Sequence, residues 1–287
     1  AFLGLLRSAE APLEDSDPLA RGWLKQAHAI YLLMLEADPL ATRTVAEEGL
    51  AAVTAASARR LQVLISAFLG MALSVLGEHT VAESVLRDNL ALAQRLGEPM
   101  AITHAKVWMA IVLAARDEPS LQDEAMQLSQ DALATPGANV FYQGSAHHVV
   151  ARCQLRRGDL VAAEAAAEQA AALLALLPIL RSYAMATHLD ILRAAKRLDE
   201  ARTLAAQGAA LLAQLGCASY AELPLRVSLV ETHLAANDMP AALAELQRAR
   251  TALDERLKNI VDETARARFL ALPDHVRLAE LEQRLVK

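Results

Sequence analysis

Acidic residues recur along this chain at Asp38, Glu78, Glu118, Asp159, Asp199 and Asp238, one at every fortieth position or within one of it. Each sits at a short break, and several breaks carry turn chemistry: Asp38-Pro39, Gly77-Glu78, Glu118-Pro119, Gly158-Asp159 and Asn237-Asp238. Gly and Asn suit the left-handed residue that ends a helix, and the acid then lies at the positive end of the next one. A second ladder runs beside the first. Ala82, Ala125, Ala163, Ala201 and Ala242 are followed seven residues later by Asn89, Ala132, Ala170, Gly208 and Ala249. That spacing is two helical turns, so both small residues share a face and let a neighbouring helix approach. The third unit needs a few extra residues around Pro119–Asp123. A repeat of about 40 residues with helical spacing inside it means stacked helical hairpins.

Composition supports helices throughout. The chain is 54% hydrophobic, mostly Ala and Leu, and only 3% aromatic, which leaves little to build strands from. First helices are expected over 19–36, 60–76, 100–116, 140–157, 180–196 and 220–236. Second helices are expected over 41–57, 79–96, 120–134, 160–177, 199–215 and 239–259. Short turns within each pair force antiparallel packing. Residues 1–18 read as the end of a truncated preceding repeat plus a linker, 19–260 as six repeats, and 261–287 as capping helices over the end of the stack, with Pro273-Asp274 starting the last. The start at Ala1, without Met and inside an apolar pattern, reads as a cut from something longer.

The spacing Gly77…Ala82…Asn89 and Gly158…Ala163…Ala170 resembles the tetratricopeptide repeat. That family's unit is about 34 residues, and its aromatic positions are mostly aliphatic here. The longer unit looks like the helical repeats behind the nucleotide-binding module of large bacterial signalling proteins, such as maltose-regulator-type transcription activators and multidomain kinases with ATPase and repeat regions. The closing segment Arg266-Ala-Arg-Phe-Leu-Ala-Leu-Pro-Asp-His-Val-Arg277 resembles the tail of such regions.

The resemblance implies an all-α, right-handed superhelix (an α-solenoid) with the first helices lining its concave side. Projecting the family's groove positions gives Tyr31, His104, His148, Arg152, Tyr183, Asp190, Arg193 and Glu231 as partner-binding candidates. The early first helices are greasy and the later ones polar, which suits a ligand with an apolar end and a polar end. The implied role is a protein-interaction or regulatory scaffold in a larger bacterial signalling or transcription-regulatory protein. Its partner would be a protein, a peptide, another domain of the same parent or a second copy. The alternative is a domain that senses a small-molecule effector in its groove.

Other chemistries find little support. A net charge of −6 argues against nucleic acid as the partner. The apolar stretch Val63–Gly77 is too short to span a bilayer. Cys153 and Cys217 read as free buried thiols, which fits a reducing cytoplasm. His147 and His148 are adjacent and point about 100° apart on a helix, unlike the i, i+4 pairs that bind zinc. Glu164 and Glu168 stripe the solvated face of an Ala-rich helix. No phosphate loop, nucleophile elbow or His-Glu-x-x-His sequence occurs, so no enzyme, metal or cofactor is expected.

Overall fold

The structure is a computed structural model that describes residues 4, 17–216 and 220–285. The expectations for the N-terminal tail and for Cys217 lie outside the described residues. Six hairpins follow one another: α1 (Pro18–Tyr31) with α2 (Pro39–Ala55), α3 (Arg59–Val75) with α4 (His79–Leu96), and α5 (Pro99–Ala114) with α6 (Pro119–Leu133). They continue as α7 (Val140–Arg157) with α8 (Leu160–Leu173), α9 (Pro178–Ala194) with α10 (Leu198–Leu215), and α11 (Glu222–Ala235) with α12 (Met239–Leu257). Two more helices close the chain, α13 (Glu263–Leu270) and α14 (Pro273–Leu285). Among the described residues there is no strand.

Each hairpin's first helix packs on the first helix of the next, so α1, α3, α5, α7, α9 and α11 form a continuous inner layer. The second helices pack outside it, against their chain neighbours. This is an α-solenoid. The small-residue ladder lies in the seams: all ten of its members are buried. It also reaches the first hairpin, where buried Thr42 and Gly49 take the same places. A Cβ on Gly49 would come within 2.9 Å of the Lys25 Cβ, so the close approach needs glycine there.

The acid ladder marks helix starts. Asp38, Asp159 and Asp238 are N-caps whose carboxylates accept from the backbone amides of Ala41, Ala162 and Ala241 at 2.9, 3.0 and 3.2 Å. Glu78 and Glu118 hold the cap position without a side-chain capping bond, and Asp199 sits in the first turn of α10. The longer Glu side chains pair with arginines instead, Glu78 with Arg43 at 3.2 Å and Glu118 with Arg116. The preceding left-handed position is taken by Gly77, Gly158 and Asn237, but also by Ala37 and Lys196. Those last two carry a Cβ into a region that costs L residues about 1–2 kcal/mol. α1 ends in a π-turn over Leu32–Glu36, and α8 ends early because Leu177 precedes Pro178.

The C-terminal segment does more than cover the last hairpin. α14 packs on α12 and α11, while α13 reaches back to the second hairpin. Arg268 meets Glu78 at 3.3 Å, although 190 residues separate them. Buried Leu76 shares one core with Phe269 and Leu278. The backbone of Arg268 lies so close to Gly77 (φ +76°) that a Cβ there would sit 2.8 Å from its carbonyl oxygen. Gly77→Ala is therefore expected to cost about 2–3 kcal/mol, from left-handed strain plus displacement of the segment. A urea-midpoint comparison checks this. A loss below about 0.5 kcal/mol, the range of an ordinary surface substitution, would mean that the contact is slack.

Candidate functional site

The inner layer carries two distinct spaces. The first is an open apolar groove of ≈ 420 Å³ across α1, α3, α5, α7 and the start of α9. Its floor is a chain of rings. Phe68 and Trp108 have centroids 5.2 Å apart, Trp108 and Phe141 5.8 Å, and Phe141 and Tyr142 5.0 Å. His104 stands edge-on to Tyr142, its Nδ1 3.2 Å from the hydroxyl, and burial pushes its imidazole down to about 4. Ile30, Met34, Leu64, Pro178 and Leu180 form the rim. These positions come together because each first helix presents one residue per turn to the same side.

The second space lies between the later first helices and the α13–α14 turn. Arg152, Tyr183, Asp274 and Arg277 wall a polar cavity of ≈ 190 Å³. An apolar lobe of ≈ 90 Å³ continues it between Met71, Ile111 and Leu272. The Arg152 guanidinium lies against the Tyr183 hydroxyl, and Tyr183 stacks edge-on with His148, centroids 5.3 Å apart. His148 is buried and neutral, pushed down to about 3 by burial first and by the Arg152 charge second.

The sequence-derived candidates divide between these places. His104 is on the groove floor, His148 lies beneath Tyr183, and Arg152 and Tyr183 wall the polar cavity. Asp190, Arg193 and Glu231 form one ion cluster. Arg193 pairs with Asp190 at 2.9 Å and with Glu231, and the Ser228 hydroxyl donates to Asp190 at 2.7 Å. Arg277 of α14 closes the cluster, 2.5 Å from Glu231 and 3.4 Å from Asp190. Burial opposes the Arg277 charge, but the carboxylates of Asp190 and Glu231 raise its basicity well above the usual value. Tyr31 stands apart: it ends α1 with its hydroxyl on Glu36 and lines neither space.

Sequence reasoning missed Phe141, Tyr142, the Leu177–Leu180 rim and Arg277. In a chain that is only 3% aromatic, adjacent Phe141-Tyr142 at the start of a first helix was the available signal. Glu164 is also more engaged than a solvated stripe implies, since it pairs with Arg197 of the next hairpin. Cys153 is a buried free thiol that donates to Gln122 Oε1 at 3.3 Å, and burial raises its pKa. Among the described residues no group of three or more His, Cys, Asp or Glu is placed to hold a metal ion, and no helix is long and apolar enough to cross a membrane.

No protein-family model matches the chain, and no curated protein matches it in sequence. Solved structures do match in shape. The crystal structure of Rap protein complexed with competence and sporulation factor superposes with a TM-score of 0.67 at 12% identity, covering 99% of this chain and 78% of that one. The likeness is one of fold. It places the chain beside the tetratricopeptide-like helical repeats, and the two spaces described above are properties of this chain's own side chains.

Proposed function

We propose that the chain is a non-enzymatic protein- or peptide-binding scaffold whose partner seats an apolar side chain in the groove between α1 and α9. The observation that carries this is the open, ring-floored groove with an aliphatic rim. Pre-formed concave apolar surface with a few polar groups is where partners gain binding free energy. The Rap protein of similar fold was crystallised with competence and sporulation factor, which supports a ligand-holding use of such a solenoid. The long repeat unit, with its acids at every fortieth position or so, supports a place within a larger bacterial signalling or transcription-regulatory protein.

A peptide library displayed on phage and selected on the full chain tests this. Enriched peptides are expected to share a large apolar anchor. They should bind Leu180→Glu at least tenfold more weakly, about 1.4 kcal/mol, because the partly buried rim position would meet the anchor with a charge. Peptides that bind the variant and the parent equally would remove the groove from consideration.

A second reading, a domain that senses a small effector, is favoured by the polar cavity beneath the α13–α14 turn. A thermal-shift screen across metabolites addresses it, since a ligand that binds only the folded state raises apparent stability.

A further inference from the structure

The charges around the polar cavity are equal in number but unevenly paired. Its wall carries three arginines (Arg152, Arg156 and Arg277) and three aspartates (Asp117, Asp190 and Asp274). Arg156 lies 2.8 Å from Asp117 and also donates to the carbonyls of Ala114 and Arg116 at 2.7 and 2.8 Å. Arg277 holds Asp274 at 3.0 Å and Asp190 at 3.4 Å, together with Glu231 outside the wall. Every aspartate in the wall is thereby engaged. Arg152 makes no ion pair among the described residues, and its charge bears on His148, Arg156 and Tyr183. A partly buried guanidinium without a counter-ion is costly, and a carboxylate is its natural complement.

The neighbours of Arg152 extend the match. The Tyr183 hydroxyl lies beside the guanidinium, and Thr187 follows one turn later on α9, lining the same cavity. Past Pro224 and Pro273, which both spaces share, the apolar lobe begins. A cavity of about 150 Å³ holds benzene, so ≈ 190 Å³ with a lobe of ≈ 90 Å³ admits a ligand of about six to ten heavy atoms. The wall carries as many aspartates as arginines, so the one guanidinium without an ion pair offers a seat for no more than a single negative charge. A phosphate dianion would instead meet excess repulsion from Asp117, Asp190 and Asp274.

We propose that this cavity binds a small monocarboxylate, its oxygens held by Arg152 beside the Tyr183 and Thr187 hydroxyls, its short apolar tail in the lobe between Met71, Ile111 and Leu272. This rests on the effector reading, to which it gives a seat and a ligand class. It is independent of the groove. A free acid and the C-terminal carboxylate of a peptide present the same chemistry.

The test is calorimetric and thermal titration of the full chain at constant ionic strength. The probes are sodium hexanoate, neutral hexanamide, inorganic phosphate, and acetyl-Ala-Leu with a free or an amidated C-terminus. Hexanoate or the free-acid dipeptide is expected to bind saturably and raise the melting temperature, while hexanamide, phosphate and the amidated dipeptide do not. Which of the two carboxylates binds more tightly identifies the source. Arg152→Gln should weaken binding at least tenfold, Thr187→Val several-fold, and Leu180→Glu not at all. Should Arg152→Gln fail to fold by circular dichroism, Arg152→Lys and Thr187→Val carry the comparison.

Equal responses from the parent and the Arg152 and Thr187 variants, hexanamide matching hexanoate, or no carboxylate response at tens of millimolar would each overturn the proposal. A neutral metabolite that stabilises the parent and Arg152→Gln alike would leave the effector reading standing and still overturn the carboxylate assignment.

Discussion

Acidification below pH 6.5 is expected to strip stability from this fold well before its carboxylates titrate. His104, His148 and His275 are all buried, and burial lowers them to about 4, about 3 and about 4. His275 is lowered although its Nδ1 contacts the Phe269 carbonyl oxygen at 2.6 Å, a bond that favours the protonated ring. In the unfolded chain each histidine titrates near 6.5. Between that value and its folded pKa, the unfolded state binds a proton that the native state refuses, so stability rises with pH across the window and falls as pH drops through it. Each group contributes up to about 1.4 kcal/mol per pH unit, so the three together approach about 4 kcal/mol per unit between roughly pH 6 and pH 4.5. That slope would consume most of a typical margin of about 5–15 kcal/mol. Urea midpoints followed by circular dichroism at half-unit pH steps measure it. His148→Gln should reduce proton uptake on unfolding by about one in the middle of the window. Stability that stays flat from pH 7 to pH 5 would contradict neutral burial of these rings.

Arg226→Met is expected to be the most damaging single substitution in the last hairpin, at about 3–5 kcal/mol. Arg226 on α11 bonds Glu222 one turn back at 2.8 Å and Glu245 on α12, and all three side chains are at most 9% exposed. Burial disfavours the guanidinium charge, but the two carboxylates more than offset this and raise its basicity. Removing it leaves two carboxylates in the seam between α11 and α12. Each then keeps one partner, Glu222 the largely buried Arg256 at 3.2 Å and Glu245 the exposed Arg248 at 2.8 Å. The control is the triple variant Arg226→Met, Glu222→Leu, Glu245→Leu. An apolar replacement of a whole buried ion group is often neutral or stabilising, so it should recover most of the loss. Melting temperatures of the two variants decide the matter. A single variant within about 1 kcal/mol of the parent would place these charges in water.

The repeat was legible because it is written in residue types with strong local preferences: aspartate at helix starts, small residues in the seams, Gly77 and Gly158 at left-handed turns. Ala37 and Lys196 occupy the same left-handed position without any such preference, because the turn between two packed helices imposes it. The site was legible only in part. Helical projection put His104, Arg152 and Tyr183 on the inner layer but could not say which surface the final helices would choose. The partners of Arg268 and Arg277 lie 190 and 46–87 residues away, beyond any local pattern. Asp190, Arg193 and Glu231 therefore read as an open polar groove, whereas Arg277 already engages Asp190 and Glu231.

A row of hairpins held together only by adjacent contacts behaves as a one-dimensional array, free to fray from either end or melt unit by unit. The bond from Arg268 to Glu78 and the shared packing of Phe269 with Leu76 join an early unit to the chain's end. Such a closure makes the intervening hairpins cooperative, because none can open without straining a connection that spans them all. It also raises the contact order, so assembly should be slower than a helical array of this size would otherwise allow.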